Sequence, residues 1–598
     1  MSNEIAPFDD AGKERQRSRK RPRQAEAKPD APALPIQHAF DDEFDEAEYL
    51  LQHPEVADAI AQGHLPNALF HFRVFSTKPR AVAEVVRREP TAPRNGAQEL
   101  PQSETFSSQG ISMRARGEPA HPPDVALAAR SFAPGSVDAV VTSPTGAIFV
   151  IGWAADRDAR LHNITVQFEN GHSSEWPASQ FIRFRRPDAE QALGLEPTRQ
   201  IGFCGLLLGD MKFGSGTVKP RAVRLSAADG SSTEFPVTPR LVSDVELRDI
   251  MLGYLSSIDF MGNKQVEAFY ALDDHFGDAL VRHSGAITQS IAGGASLERF
   301  ETAAGRFKGS VIVCLYGKAE FQFVQNALFA AGPGAEDYEY IYVSNSPELI
   351  ETLCKTAQIS RRVYGLNVSV VMLPGNAGFG AANNIAAQHA RSRRLLIVNP
   401  DVFPMDRDWA AWHNQAVEQL PAEQTKLFAP RLFYADGSLM HAGMYVDVDW
   451  GVSVTDFAVR KRPMLRVEHY GKGAPRYTEM FRGSRPVSAI SGAFTSMERS
   501  WFERIGGFAE DYIFAYYEDA DLCLRSWDNG APAWVHELDF WHMEGKGSST
   551  PLPHHKGAAT VNRWLFTREW HDRIAPELLG RVTPASPLQM GLPSFRLP

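Results

Sequence analysis

Three carboxylates lie within four positions of the segment "FAYYEDADLCLR", residues 514–525: Glu518, Asp519 and Asp521. Carboxylates this close repel one another, and burying them costs desolvation free energy. The cluster is therefore either a solvated helix face or a site where desolvation tunes the pKa of one acid for general-base work. The spacing alone leaves both interpretations open.

Two further polar segments could bind a ligand. In "VNPD", an apolar strand runs directly into Asn399 and Asp401, whose oxygens can hold a hard divalent ion. An ion there could neutralise a diphosphate as it leaves. In "PGNAGFGAANN", residues 374–384, glycines allow close backbone approach and the asparagines supply donors and acceptors. The second pattern alone is typical of an ordinary turn.

The elements that must position these residues begin near residue 309. Four β-rich runs, at 310–317, 338–345, 367–374 and 393–401, alternate with helical stretches. This alternation predicts a buried parallel sheet with right-handed crossovers, in which ligands collect at the carboxyl ends of the strands. The polar residues that follow these strands are Ser344, Asn345, Gly375, Asn376, Asn399 and Asp401.

Four blocks carry a family resemblance: "NAGFGAANN", "VNPD", "SGAFTSMERSWFERIGGFAEDYIFAYYEDADLCLR" and "FWHMEG". Their order and spacing resemble family 2 glycosyltransferases, most closely the bacterial rhamnosyl- and galactofuranosyl-transferases. The resemblance covers about 310–570. It implies a GT-A fold, which is a Rossmann-like α/β domain with a mixed, mostly parallel sheet.

The resemblance also implies roles for individual residues. Asp401 matches a metal-binding acid, and His542 matches a histidine that completes the metal site. Asp519 matches the general base, while Glu518 and Asp521 support it or contact the acceptor. The residues that match the surroundings of the donor nucleotide are Asn345, Asn376, Gly378, Phe379, Asn383 and Asn399.

The reaction implied is an inverting transfer of a hexosyl or deoxyhexosyl group, assisted by Mg²⁺ or Mn²⁺. The donor would be a UDP- or dTDP-sugar, and the acceptor a bacterial surface polysaccharide or a lipid-linked glycan. The chain departs from the family twice. Asn399 stands in place of the first acid of an Asp-x-Asp pair, and Ser344 in place of an acid that reads uracil. The nucleobase therefore stays open.

Composition narrows the class of protein. The 598 residues carry a net charge of −10, which argues against a general nucleic-acid binder. The four cysteines form no CxxC pair, and no run of 18 apolar residues or secretory signal occurs. We therefore expect a soluble cytoplasmic protein. The basic run 13–23 is either a solvated tail or a peripheral contact with anionic lipid at the inner face of the membrane.

The chain divides into six predicted segments. Short β-rich runs, with Asp229-Gly230 as a hairpin turn, predict an all-β sandwich ahead of the sheet. Residues 244–300 show helical spacing of apolar residues. The predicted segments are a disordered basic tail (1–40), a small helical module (41–78), a linker (79–122), the β-sandwich (123–240), a helical connector (241–305) and the GT-A domain (306–598).

Two other functions remain open from the sequence. One is a catalytically inactive glycan-binding or scaffold protein, against which the joint presence of Asp401, Asp519 and His542 argues. The other is a nucleotidyltransferase, which would carry a basic GxGxRL-type loop after its first strand, and "CLYGKAEF" lacks one. His441 is either a donor-pocket residue or an ordinary strand histidine, and His554 and His555 have no expected catalytic role.

Overall fold

The computed structural model describes residues 134–155, 161–196, 200–208, 219–301, 305–455, 458–546 and 552–579. The predicted tail, helical module and linker lie outside the described residues. Within the described part, helices combine with four sheets that contain parallel and antiparallel pairs, which confirms the mixed α/β class. The predicted domain arrangement stays a prediction. No helix of the described residues is long and apolar enough to cross a membrane.

Two antiparallel-rich sheets form the first part of the described chain. The strands are β1 (Gly135–Thr142), β2 (Ala147–Ala154), β3 (Leu161–Phe168), β4 (Ser173–Pro177), β5 (Ile182–Phe184), β6 (Gly202–Leu208), β7 (Pro220–Ala227), β8 (Ser232–Pro236) and β9 (Arg240–Leu241), with helix α1 (Pro187–Ala192) between β5 and β6. Their orders are β5-β6-β2-β1-β9 and β4-β3-β7-β8. The sheets share a core that includes Val150, Val166 and Phe203. The Asp229-Gly230 hairpin joins β7 to β8, with Gly230 at φ 82°.

The connector consists of three helices and one strand. The helices are α2 (Asp244–Ser257), α3 (Lys264–Ala271) and α4 (Gly277–Gly293), with a π-helical turn over Leu272–Phe276. The helical prediction for 244–300 is wrong at its end, because Ser296–Phe300 form strand β10. The glycines at 293 and 294 end α4, and antiparallel pairing with the strand at 367–372 then decides the conformation.

The large sheet and a separate hairpin follow. Their strands are β11 (Gly309–Leu315), β12 (Tyr338–Ser344), β13 (Asn367–Met372), β14 (Arg394–Val398), β15 (Val402–Pro404), β16 (Leu427–Phe433), β17 (Leu439–His441), β18 (Met444–Val454), β19 (Val459–His469), β20 (Arg485–Val487), β21 (Phe494–Glu498) and β22 (Ala533–His542). The sheet order is β10-β13-β12-β11-β14-β21-β16-β22-β15, with β17 on β16 and β20 on β22, while β18 and β19 pair only with each other. The central four strands, β13, β12, β11 and β14, are parallel as the sequence predicts.

Helices alternate with the strands of this part of the chain, and a long helix follows β22. They are α5 (Gln322–Ala330), α6 (Ile350–Tyr364), α7 (Phe379–His389), α8 (Trp409–Gln419), α9 (Ala422–Thr425), α10 (Arg499–Arg504), α11 (Glu518–Asp528) and α12 (Pro553–Leu579). Alternate residues of β11 enter different cores. Val311 and Val313 pack with Leu353 of α6, whereas Ile312 packs with Ile385 of α7. Burial on both faces explains the nearly continuous apolar character of these strands.

The connector shares its core with the sheet. One cluster of buried residues joins Phe149 of the first sheets, Leu252 of α2, Ile312 of β11 and Trp564 of α12. Helix α12 approaches α2 so closely that a Cβ built at Gly557 would lie 1.9 Å from the Leu252 carbonyl oxygen. The connector is therefore packed as part of the domain that carries the carboxylate cluster.

This close approach gives a test of the packing. We expect Gly557→Ala to lower the free energy of unfolding by about 1–3 kcal/mol, because the added methyl group must push the two helices apart. Gly285 lies in α4, where a Cβ would meet nothing within 4 Å. Gly285→Ala should instead stabilise the helix by up to about 1 kcal/mol. Thermal or denaturant unfolding of both variants measures the difference, and equal effects would contradict the packing described.

Candidate active site

Two asparagines meet at the carboxyl ends of β12 and β13. The Asn345 amide nitrogen donates to Asn376 Oδ1 over 2.9 Å, and the Ala377 amide donates to Asn345 Oδ1 over 2.8 Å. Asn376 Oδ1 also accepts from the Gly378 amide at 2.9 Å. The sheet therefore brings Asn345 and Asn376 together as predicted. Their side chains hold the glycine-rich loop in place, and their contact with a nucleotide remains a prediction.

The glycine-rich loop packs against the segment that precedes the acidic cluster. Gly378 has φ 86°, and a Cβ there would lie 3.1 Å from the Phe514 carbonyl oxygen. The Phe379 amide donates to that same oxygen. Asn383 is fully buried, and its side-chain nitrogen Nδ2 donates to the Phe379 carbonyl at 2.9 Å. Its side-chain oxygen has no hydrogen-bond partner among the described residues. Gly378, Phe379 and Asn383 thus lie between the predicted donor side and the acids.

Asp401 and His542 meet although they are far apart in sequence. Asp401 immediately precedes β15, and antiparallel pairing of β15 with β22 sets Val402 opposite His542. Asp401 Oδ1 lies 3.4 Å from His542 Nε2, and the two residues are 2% and 5% exposed. His542 Nδ1 is buried and has no hydrogen-bond partner among the described residues. A buried carboxylate beside an imidazole is a donor set that suits a divalent ion.

Two protein groups are too few to enclose an ion. The described residues contain no cluster of three or more His, Cys, Asp or Glu placed to hold a metal. Oxygens of a bound ligand would have to complete the coordination, as phosphate oxygens do in many magnesium sites. Asp401 and His542 therefore fit a site that assembles with an anionic ligand.

A short loop connects this pair to the acidic cluster. The Asn399 amide donates to the Ala493 carbonyl at 2.8 Å, and the Gly492 amide donates to Asp519 Oδ2 at 2.9 Å. The Ala520 amide donates to Asp519 Oδ1 at 2.8 Å. Asp519 remains partly exposed. The carboxylate is thus fixed by two backbone donors.

The acidic cluster starts helix α11 after a strained segment. Phe514, Tyr516 and Tyr517 have φ values of 62°, 87° and 75°, in the left-handed region that favours glycine. Each such residue costs about 1–3 kcal/mol, and strain of this kind concentrates at functional sites. Glu518 and Asp519 follow in the first turn of the helix, where the backbone dipole favours negative charge.

Glu518 and Asp519, two of the three acids of this first turn, differ in environment. Glu518 is buried, and its Oε2 has no hydrogen-bond partner among the described residues. Burial, together with the neighbouring Asp519 charge, raises the pKa of Glu518 well above its usual value. Burial also raises the pKa of Asp519, while the amides of Gly492 and Ala520 oppose that rise. The two acids thus differ in their donors, because two backbone amides favour the ionised form of Asp519 whereas Glu518 Oε2 has no partner among the described residues.

Asp521 has side-chain partners that differ from those of the other two acids. Arg525 Nε donates to its Oδ2 at 2.8 Å, and Trp570 Nε1 donates to its Oδ1 at 3.0 Å. Arg525 also donates to the carbonyls of Ile505 and Gly507. Asp521 thus anchors α11 to α12 and to the preceding loop. These contacts support a structural role, and they give no support to a contact with the acceptor.

His441 also has a structural role. It is fully buried, and its Nε2 accepts from the amides of Gly443 at 3.3 Å and Ser491 at 3.4 Å. The proton therefore lies on Nδ1, which donates to His469 Nδ1 at 2.9 Å. Burial, with the nearby His469 as a smaller cause, lowers the pKa of His441 well below its usual value. The neutral ring supports the loop that positions Asp519.

Sequence reasoning missed one group of residues near the glycine-rich loop. The Arg248 guanidinium of α2 lies 4.4 Å from the centre of the Phe514 ring. The His555 ring lies 5.2 Å from that of Phe514 and 5.9 Å from that of Tyr316. Arg248 belongs to a helix with an ordinary apolar pattern, and the contact forms only through tertiary packing. No local signal could have identified it.

Comparison with known proteins gives partial matches. No family model matches the chain. An uncharacterized protein, y4gI of Sinorhizobium fredii, is 27% identical over 209 residues, which are 35% of this chain and 21% of that protein. The O-antigen biosynthesis protein RfbC of Myxococcus xanthus is 27% identical over 191 residues, 31% of this chain and 13% of the relative. The matched stretches are thus small parts of both relatives.

Two solved structures are similar at a low level. GalNAc-T7, crystallised with UDP, GalNAc and Mn²⁺, gives a TM-score of 0.32 at 14% identity, over 46% of this chain and 50% of that one. The mannosyltransferase PcManGT of Pyrobaculum calidifontis, in complex with GDP-Man and Mn²⁺, gives 0.29 at 12% identity, over 57% and 89%. These scores are too low to support an argument about this chain.

The buried Glu518 predicts a pH-dependent stability. Since its pKa is raised in the folded state, the folded protein keeps a proton that the unfolded chain loses above the usual pKa. The stabilising effect of this proton is complete below that value and is lost as pH rises toward the folded pKa. We expect Glu518→Gln, which cannot ionise, to gain stability relative to the parent as the pH rises from 4 to 8.

Unfolding curves at several pH values measure this difference. Stabilities of parent and variant should converge toward pH 4, where Glu518 is protonated in both states of the parent. Glu503→Gln serves as a control, because Glu503 is 59% exposed. If the Glu518→Gln and parent curves ran parallel from pH 4 to 8, the pKa of Glu518 would not be raised in the folded protein.

Proposed function

We propose that the protein is a metal-assisted glycosyltransferase that transfers a sugar from a nucleotide-sugar with inversion. The observation that carries this proposal is the Asp401–His542 pair, 3.4 Å apart at the carboxyl edge of the sheet. Its loop is joined through Ala493 and Gly492 to Asp519. These contacts support a site for an anionic leaving group and a candidate base at one edge, where α/β sheets bind ligands.

The proposed base is Asp519. In its ionised form it would accept the proton of an acceptor hydroxyl, which makes that oxygen a stronger nucleophile toward the anomeric carbon. The amides of Gly492 and Ala520 each hold one of its oxygens and fix the direction of the carboxylate. The raised pKa of Glu518 favours its neutral form, which would add no negative charge next to Asp519. Asp521, the third acid of the same turn, forms an ion pair with Arg525.

The proposed metal ligands are Asp401 and His542, with Mg²⁺ or Mn²⁺ as the ion. Asp401 and His542 would hold the ion, which would supply charge neutralisation for a departing nucleoside diphosphate. Asn399 lies two residues before Asp401, and its backbone amide donates to the Ala493 carbonyl. Its side chain is therefore the part that would contact a ligand. The loop ordered by Asn345 and Asn376 would form the wall on the nucleotide side.

The proposed substrates follow from weaker support. The similarity to a protein named for O-antigen biosynthesis supports a surface polysaccharide or its lipid-linked precursor as acceptor. Ser344, which stands where related enzymes place an acid, donates its hydroxyl to the Ser346 carbonyl at 2.6 Å. It is fully buried, so it holds the turn after β12. Uridine and deoxythymidine both remain proposals for the nucleoside of the donor. A peripheral membrane contact remains a proposal for the basic run 13–23.

The base assignment is tested by donor turnover. Purified protein is offered UDP-, dTDP- and GDP-sugars with Mn²⁺ or Mg²⁺, and release of nucleoside diphosphate is measured with and without glycan acceptors. We expect Asp519→Asn to lower kcat for transfer by about 10²–10⁴-fold, the usual contribution of a general base. Asp572→Asn is the control, because Asp572 is 98% exposed. Transfer by Asp519→Asn at the parent rate would remove Asp519 from this role.

The metal assignment is tested by titration of Mn²⁺. Asp401→Asn and His542→Gln should each raise the Mn²⁺ concentration for half-maximal activity by about tenfold or more, since even supporting partners of metal ligands contribute that much. Electron paramagnetic resonance of Mn²⁺ with nucleoside diphosphate gives a readout independent of turnover. Unchanged Mn²⁺ binding in both variants would place the ion elsewhere. A parent protein that binds no donor in the presence of metal would favour the scaffold alternative.

A further inference from the structure

The segment Ile513–Tyr517 determines where helix α11 starts and therefore where Asp519 points. Three of its five residues have positive φ. A chain does not keep such a conformation without contacts that impose it. Within the described residues, the fixing contacts come mainly from helices outside the sheet.

Helix α12 makes the first set of contacts through Asn562, which is fully buried. Its Oδ1 accepts from the Ile513 amide at 2.8 Å. Its amide nitrogen donates to the carbonyls of Ile513 at 2.9 Å, Ala515 at 2.8 Å and Tyr516 at 3.3 Å. One side chain thus satisfies backbone groups along the whole strained segment, which an irregular buried chain cannot satisfy by itself.

The same face of α12 continues the contact along α11. The Phe566 ring lies 5.2 Å from that of Tyr517, and Trp570 Nε1 donates to Asp521. Asn562, Phe566 and Trp570 are spaced by four residues, so they form one stripe on the helix. Helix α12 therefore contacts both the strained segment and the first turns of α11 through one face.

Helix α2 holds the segment from a second direction. The Arg248 guanidinium lies over the Phe514 ring, and Arg248 Nε donates to Asp249 at 3.0 Å. Arg248 is 2% exposed, so its charge is directed at the ring and at Asp249. The Phe514 carbonyl meanwhile accepts from Phe379 of the glycine-rich loop.

We propose that Asn562 is a positioning residue for the proposed base, and that Arg248 assists it by fixing Phe514. The inference rests on the proposed function of Asp519. Asn562 touches neither Asp519 nor the strand ends; it acts by holding the backbone that leads into α11. Loss of its hydrogen bonds releases the segment, and Asp519 moves away from the Gly492 amide.

The test compares Asn562→Ala with Asn326→Ala. Asn326 is also fully buried and donates to Ser360 at 2.6 Å, but it lies in α5, in the other core of the sheet. We expect Asn562→Ala to lower kcat by about 100-fold, the effect of a displacement near 1 Å, with the KM for donor nearly unchanged. Loss of the Gly492 hydrogen bond also moves the acid limb of the kcat/KM profile to higher pH, because that bond favours ionised Asp519. Asn326→Ala should lose stability without either change.

Two further measurements keep the inference testable. Asn562→Asp keeps the size of the side chain and the acceptor for the Ile513 amide but removes the NH₂ donor. We expect it to lower kcat as well, and it replaces the alanine variant if that variant does not fold. Hydrogen exchange of residues 512–522 should accelerate in the Asn562 variants and in Arg248→Leu, and not in Asn326→Ala. Exchange does not depend on turnover, so it tests the positioning even if the parent shows no transfer and the proposed function fails. Asn562 variants with parental exchange, kcat and pH profile would overturn the inference.

Discussion

One hydrogen bond, from the Gly492 backbone amide to the Asp519 carboxylate, links the two halves of the candidate site. On one side, the loop that contains Gly492 is joined to the Asn399 amide and so to the Asp401–His542 pair. On the other side, Asp519 belongs to a helix whose start is strained. The bond fixes the separation of a candidate base and a candidate metal site, and it also favours the ionised form of the carboxylate.

This constraint explains why helices from outside the sheet share its core. A strained segment must be over-determined by its surroundings, and the sheet contributes few contacts to Ile513–Tyr517. Helices α2 and α12 supply the others, and they pack together at Gly557, where the absence of a side chain allows close approach. The connector thus stabilises the site itself, beyond any role in joining the first sheets to the large sheet.

The sequence predicted the parts of the structure that depend on local patterns. The four parallel strands, the Asp229-Gly230 hairpin and the polar residues at the strand ends follow from periodicity and turn chemistry. Strand β10 was predicted as helix because its pairing with β13 is not encoded within its own five residues. The contacts of Arg248 and Asn562 could not be predicted for the same reason. A buried polar residue in an amphipathic helix gives no indication of the distant backbone that it contacts.

The acidic cluster shows how environment divides roles between similar groups. Glu518, Asp519 and Asp521 are carboxylic acids that lie close together in the sequence, yet each has different partners. Asp521 has an arginine and an indole, Asp519 has two backbone amides, and one oxygen of Glu518 has no partner among the described residues. Since an ionised carboxylate needs donors when it is buried, the poorly partnered Glu518 has a pKa raised well above its usual value. Asp519 accepts hydrogen bonds from two backbone amides and is partly exposed, and both properties support the proposal that it is the general base.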